Sequence, residues 1–365
     1  MKLHQLTTFL ESLAPLSYQE DYDNSGLITG NPDQEIRAAL ISLDCTEEIL
    51  DEAIKKGCNL VISHHPIVFK GLKKFTGKTY VERVVIKALK NDIALYAIHT
   101  NLDHIQTGVN GKICEKLGLK NPRILSPKEG FLKKLSTYAP VDNVSNIRTA
   151  LFNAGAGNIG NYSECSFNSE GYGTFKASEN ANPYVGEKGE LHRENEVKIE
   201  VVFSNYQERA IISALKSAHP YEEVAYDIYQ LTNSHDQVGA GMIGALEKEM
   251  TEIDFLNFVK LELNARVIRH TTLTGRPVRN VAVCGGSGSF LLKHAISAQA
   301  DVFITADFKY HEFFDAEYKL VIADVGHFES EQFTQQLLYE IIRKNFANFA
   351  LHLTEYNTNP INYLI

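Results

Sequence analysis

Asn59-Leu60-Val61-Ile62-Ser63-His64-His65-Pro66 decides the fold. Leu60, Val61 and Ile62 make a short apolar run without polar alternation, which reads as a strand buried on both faces. It stops abruptly in two histidines and a proline. Ala38 to Leu43 is a second run of this kind, ending at Asp44. Between the two, Thr46 with Glu47 and Glu48 supplies an N-cap and an acidic first turn. Ile49, Ala53 and Ile54 then lie on one helical face, and Gly57 closes the helix. Downstream, Thr79 to Leu89 reads as a helix and Ile93 to Ile98 as a strand. Val109 to Leu117 reads as a helix stopped by Gly118. The alternation returns near the end, with strands at Val281–Cys284, Val302–Thr305 and Leu320–Ala323. Helices start at Phe290 and run over Ser330–Arg343. Such strands alternating with helices predict an α/β fold whose sheet is covered on both faces.

The middle of the chain breaks this pattern. Lys134–Pro140, Asn161–Phe167, Val197–Ser204 and Glu222–Leu231 read as strands, with helices over Val144–Phe152 and Gln207–Ser217. That is strand–helix–strand twice. The strands after the two helices open alike, as Tyr162-Ser163-Glu164 and Tyr221-Glu222-Glu223. Two such units predict an α+β ferredoxin-like domain. Asn168 to Glu194, rich in Gly, Asn and Glu, reads as a surface excursion. The expected organisation is an α/β domain in two segments, 1–126 and 237–365, with the ferredoxin-like domain inserted at 127–236.

Composition bounds the function classes. The chain has 365 residues, 44% hydrophobic and 22% charged, enough for two or three domains of about 150 residues. The 36 Lys and Arg against 45 Asp and Glu give a net charge of −9, which disfavours nucleic-acid binding. The longest stretch free of charged residues, Thr149 to Ser163, contains Asn and Gly, so no membrane span is expected. Met1 to Leu16 lacks the apolar run and small-residue cleavage site of a signal peptide, and a cytoplasmic protein is expected. The five cysteines, Cys45, Cys58, Cys114, Cys165 and Cys284, contain no C-x-x-C and read as reduced, buried thiols.

The chemistry gathers where α/β folds keep it, at the carboxyl ends of strands. Those ends carry Asp44, His64-His65, His99 through Asp103, Asp307 with His311 nearby, and Asp324 followed by His327 and Glu331. Each has a local reading too. His64-His65 fits a turn, Asp103 a helix cap, and Glu331 the positive end of a helix. Repeated His plus carboxylate at one edge favours a shared divalent-metal site instead. His64, His65, His327, Asp103 and Glu331 are too many ligands for one tetrahedral ion with an open position. They suit two ions roughly 3.5–4 Å apart, a pairing that lowers the pKa of water toward about 7. His99, Asp44, Asp307, Asp324, His311 and His104 are candidates to orient these ligands or pass protons. Gly285-Gly286-Ser287-Gly288-Ser289 reads as a strand-to-helix turn whose N–H groups could cradle an anion. No G-x-S-x-G elbow is present, which argues against a serine or cysteine hydrolase.

Five motifs together resemble the Nif-three-like family, also labelled type 2 GTP cyclohydrolase I. They are Asp23-Asn24-Ser25-Gly26, Ser63-His64-His65-Pro66, His99-Thr100-Asn101-Leu102-Asp103, Cys284-Gly285-Gly286-Ser287-Gly288, and Asp324-Val325-Gly326-His327 with Ser330-Glu331. The middle segment is similar to the insertion of longer bacterial members, which looks like the signalling and copper-tolerance trimeric folds. The resemblance implies two divalent ions per chain (zinc, iron or manganese). His65 and Asp103 would hold one, His64 and His327 the other, and Glu331 would bridge. It also implies a toroidal homohexamer with the sites facing an inner cavity. Ala306 departs from the pattern, since members often have Gly before Asp307. Two functions follow. One is a metal-dependent hydrolase acting on a nucleotide-like or phosphorylated small molecule. The other is a non-enzymatic ring that stores, delivers or senses metal, with the inserted domain as its regulator. No residue is assigned as catalytic.

Overall fold

The computed structural model describes residues 1–364. The chain forms two compact units. One is built from Met1–Pro127 and the segment from Gln237 onward, the other from Lys128–Asp236.

The larger unit holds two sheets rather than the single one expected. The first runs in the order Gly26–Thr29, Ala94–Ala97, Leu60–Ser63, Ala38–Ser42, Ala350–Leu353. All its pairs are parallel except the antiparallel edge at Gly26–Thr29. Every residue of its three central strands is buried, which is why they read as unbroken apolar runs. Leu40, Val61 and Leu95 on one face pack with Ile49, Ala53, Val84 and Ala88. Those four come from the helices Glu47–Lys55 and Tyr80–Lys90, whose first turns are capped by Thr46 and Thr79. The second sheet runs Arg269–His270, Val321–Asp324, Val302–Ala306, Val278–Ser287, Ser234–Met250, Lys120–Glu129. Its Val278–Ser287, Val302–Ala306 and Val321–Asp324 strands are parallel. Phe303, Ala282 and Ile322 anchor its core against Leu292 and Ala295.

The smaller unit is a four-stranded antiparallel sheet in the order Phe167–Lys176, Leu191–Ser204, Leu132–Pro140, Tyr226–Gln230. Helices Val144–Asn153 and Glu208–Ala218 pack Ile147, Leu151, Ile211 and Leu215 onto Leu135, Ile199, Val201 and Phe203. Two expectations here are corrected. Asn161–Phe167 is not a strand, and Glu164 carries φ +57. The strand is Phe167–Lys176, and much of the supposed excursion Asn168–Glu194 is a hairpin registered from Phe167↔Glu200 to Lys176↔Leu191. Backbone pairing sustains that ladder, while its glycines and polar residues conceal it in the sequence.

The expected helix Ser330–Arg343 is two helices, His327–Glu331 and Thr334–Asn345. All five cysteines are free, and all but the half-buried Cys165 are buried. No helix among the described residues is long and apolar enough to cross a membrane.

Candidate metal centre

Parallel strands of both sheets deliver the site residues. Leu60–Ser63 leads straight into His64 and His65, and Ala94–Ala97 leads through His99 into the one-turn helix Thr100–Asp103. Val321–Asp324 leads through Gly326 into the one-turn helix His327–Glu331. Gly326 has φ +97, a turn that a side-chain-bearing residue adopts only with strain. Ala306 stays in its strand, and the positive φ, +60, falls on Asp307.

These segments bring all five expected side chains together. His65 Nε2 lies 3.0 Å from Glu331 Oε2, and His327 Nε2 lies 3.1 Å from the same oxygen. The two Nε2 atoms are 3.4 Å apart. His64 Nε2 stands 3.6 Å from Asp103 Oδ1 and 3.8 Å from Glu331 Oε1. The structure therefore groups His64 with Asp103, and His65 with His327, with one Glu331 oxygen toward each set. This differs from the division implied by the resemblance, which crossed the two histidines. His64, His65 and His99 form a third close group.

The donor set fits divalent ions. Ligand bonds of about 2.0–2.2 Å in tetrahedral geometry put neighbouring ligand atoms about 3.3–3.6 Å apart, and the separations here, 3.0 to 3.8 Å, bracket that spacing. His64 Nε2 and Asp103 Oδ1 are buried with no hydrogen-bond partner, an arrangement that folded proteins rarely leave uncompensated. Each histidine is also held from behind. His64 Nδ1–H donates to the Ile98 carbonyl (2.8 Å), His65 Nδ1–H to Asp44 (2.8 Å) and His327 Nδ1–H to Asp307 (2.6 Å). Because these partners only accept, Nδ1 keeps its proton, and in the neutral ring the Nε2 lone pair faces the cluster. Asp44 is steadied in turn by the Thr358 hydroxyl (2.6 Å).

Electrostatics favour a cation. Burial and then the nearby Glu331 charge push the Asp103 carboxyl up to about 7. Burial also acts to raise Glu331, but His327, His64 and His65 outweigh it and hold that carboxyl well below its ordinary value. Burial opposes charging of the histidines, yet Asp44 and Glu331 raise His65 to about 9, and Glu331 and Asp307 raise His327 to about 11. Without metal, protons take up the cationic role.

The other candidates divide. His99 faces the centre and is held through Nδ1 by Asp23 (2.7 Å). His104 lines the cavity between the Tyr18 carbonyl (2.6 Å) and Glu20 (3.1 Å). Asp324 is not an orienter of ligands. It pairs with Arg269 and accepts the Phe308 and Gly326 amides, fixing the turn. His311 is exposed on a neighbouring turn and does not line the cavity. The glycine run is not an open anion cradle. Gly285 N–H donates to Asn110 and Gly286 N–H to Ser330, both at 2.9 Å. A Cβ on Gly286 would stand 2.3 Å from Glu331 Oε1, so this glycine makes room for the carboxylate.

Sequence reading gave no role to Asp23, Thr358 or the tail around Asn359. Asp23 lies in a quoted motif, which was the available signal; the tail carried none. The cavity over the centre has a volume of about 640 Å³. Tyr22, Phe69, Tyr80 and Phe290 wall it, and no Lys or Arg is among its described lining residues.

The class defined by fold and site is a mixed α/β protein with His and carboxylate groups that could hold a metal ion. The chain belongs to the DUF34/NIF3 (NGG1p interacting factor 3) family, whose model matches residues 1–360. It is 39% identical over 366 residues to a Bacillus subtilis (strain 168) protein named GTP cyclohydrolase 1 type 2 homolog, covering 99% of this chain and 98% of that one. A Staphylococcus aureus (strain MW2) protein of the same name is 35% identical over 369 residues, covering 100% of both. The crystal structure of a Bacillus cereus protein related to NIF3 superposes with a TM-score of 0.87 at 39% identity, covering 100% of this chain and 99% of that one.

Proposed function

We propose that this chain holds two divalent ions and hydrolyses a small nucleotide-like or phosphorylated molecule. His64 and Asp103 would hold one ion, His65 and His327 the other, and Glu331 both. The observation that carries this is the set of Nε2 atoms turned inward by partners behind them, converging on one buried carboxylate. Ions there supply Lewis acidity and an activated water near neutral pH. The protein's own part is positioning. Asp44 and Asp307 fix two rings, and Asp23 holds His99 at the cavity wall as the group to exchange a proton with substrate. The aromatic walls favour a planar group, and a phosphate would rely on the ions, since no Lys or Arg is among the described lining residues.

The same lack of lining cations favours a second reading, a ring that stores, delivers or senses metal without turnover. We also assign the smaller unit as an inserted ferredoxin-like module, on its strand order and two helices, and the assembly as a homohexamer in the cytoplasm, on family resemblance.

Elemental mass spectrometry of untagged wild type and His65→Ala tests the centre. About two ions per chain, falling sharply in the variant, are expected; equal contents reject it. A substrate screen of Glu331→Gln beside wild type separates the two readings. Metal-dependent turnover of about 1–10³ s⁻¹ lost in the variant supports the hydrolase. Trace turnover equal in both leaves the storage ring. Light scattering checks the hexamer.

A further inference from the structure

The smaller unit contains a second cavity, of about 760 Å³, and none of its residues belongs to the metal centre. On Leu191–Ser204, Val197, Ile199, Val201 and Phe203 face the helices, so Glu196 and Lys198 face the other way. The neighbouring strand sets Gly171 opposite Glu196 and Gly173 opposite Glu194, so both glycines share that face. They leave it bare. A Cβ at Gly173 would stand 2.3 Å from Glu196 Oε2, whereas one at Gly171 would meet nothing within 4 Å.

Aromatic rings wall this floor. The Tyr221 ring centre lies 6.3 Å from that of Phe175 and 6.1 Å from that of Tyr184, tilted by 60° and 52°. Phe175, Tyr184 and Tyr221 all line the cavity and so form a cup, and neither pair is the parallel stack that grips a flat base. The Tyr221 hydroxyl donates to Glu196 Oε1 (2.9 Å) and so fixes a carboxylate at the floor. Glu222 accepts the Asn182 amide (2.7 Å), tethering the segment that carries Tyr184. Glu170 and Glu223 add negative charge. Of the two lining lysines, Lys198 is paired with Glu200 (3.2 Å), and Lys176 is the other.

We infer that this cup binds a compact organic cation of the alkylated-ammonium class, attracted by the aromatic faces and the Glu196 carboxylate. Rounded, weakly hydrated cations gain from several ring faces at once, and a nearby carboxylate adds to the pull.

The test uses the full chain with choline as probe and its uncharged tert-butyl analogue, neohexanol, as control, read by saturation-transfer NMR and calorimetry. Choline is expected to bind about tenfold more tightly than neohexanol. Glu196→Gln should weaken choline at least about fivefold and leave neohexanol unchanged. Gly171→Val, which fills the floor where no neighbour stands, should abolish both while circular dichroism stays native. Equal affinities for the two probes, no saturable choline binding, or unchanged choline binding in Glu196→Gln would each overturn the inference. If Gly171→Val does not fold, the choline-to-neohexanol ratio and Glu196→Gln decide alone.

Discussion

Loading metal at pH 7 should release about two and a half protons per chain from three named groups. In the metal-free protein, His65 titrates near 9 and His327 near 11, so both carry a proton on Nε2 at neutral pH. Asp103, near 7, is about half protonated. A divalent ion needs the Nε2 lone pairs and an ionised Asp103, so it expels these protons. Apparent affinity therefore rises with pH, and its logarithm should climb by about two to three per pH unit near neutrality. Calorimetric titration with zinc in two non-chelating buffers of different ionisation enthalpy at one pH yields the proton count. His327→Gln should lower the count by about one. Release of less than one proton in the wild type would mean that His65 and His327 are not ligands, and the grouping drawn from the geometry would fall. The same shifts predict stability in the metal-free state. A raised histidine pKa contributes stability fully below the unfolded value of about 6.5. That contribution is lost as pH climbs through about 9 for His65 and about 11 for His327. Tm of the chelator-treated protein should accordingly fall across that window.

Three substitutions probe other links. Gly286→Ala puts a Cβ 2.3 Å from Glu331 Oε1 at a backbone with φ +61, so metal content should drop while the fold persists; a full metal complement would show that Glu331 has room to move. Asp44→Asn removes the acceptor that fixes His65, and a competition titration should find metal affinity lowered about 10–100-fold. Leu40→Ala, in a fully buried central strand, should cost about 2–5 kcal/mol in urea unfolding without changing metal affinity at the remaining folded fraction.

How much could be read in advance follows from what each element depends on. The central strands of the first sheet are buried on both faces, so charged groups are excluded until the chain leaves the sheet. Asp44, His64-His65 and His99 therefore stand out by contrast with what precedes them. Phe167–Lys176 offers no such contrast. Its ladder is backbone bonding, and glycine alternates there with exposed polar residues. Partners from distant chain segments were equally hidden. Thr358 lies 314 residues from Asp44, and Asp23 lies 76 from His99. No local period records either pairing. The division of the two histidines was hidden for another reason. Adjacent side chains diverge, but which faces Asp103 is set by where the second sheet brings His327 and Glu331.

Gly286 shows the limit most sharply. A glycine run between strand and helix is required by an anion cradle, because exposed N–H groups need backbone near the ligand. It is required equally by a carboxylate that must pass where a Cβ would stand. Both demands select the same residue, so composition cannot separate them. The separation comes from Ser330 and Asn110, which take the Gly286 and Gly285 N–H groups, and from Glu331 Oε1, which occupies the space a Cβ would fill. Gly286 thus belongs to the candidate metal centre, and it acts on Glu331 through the side chain it lacks.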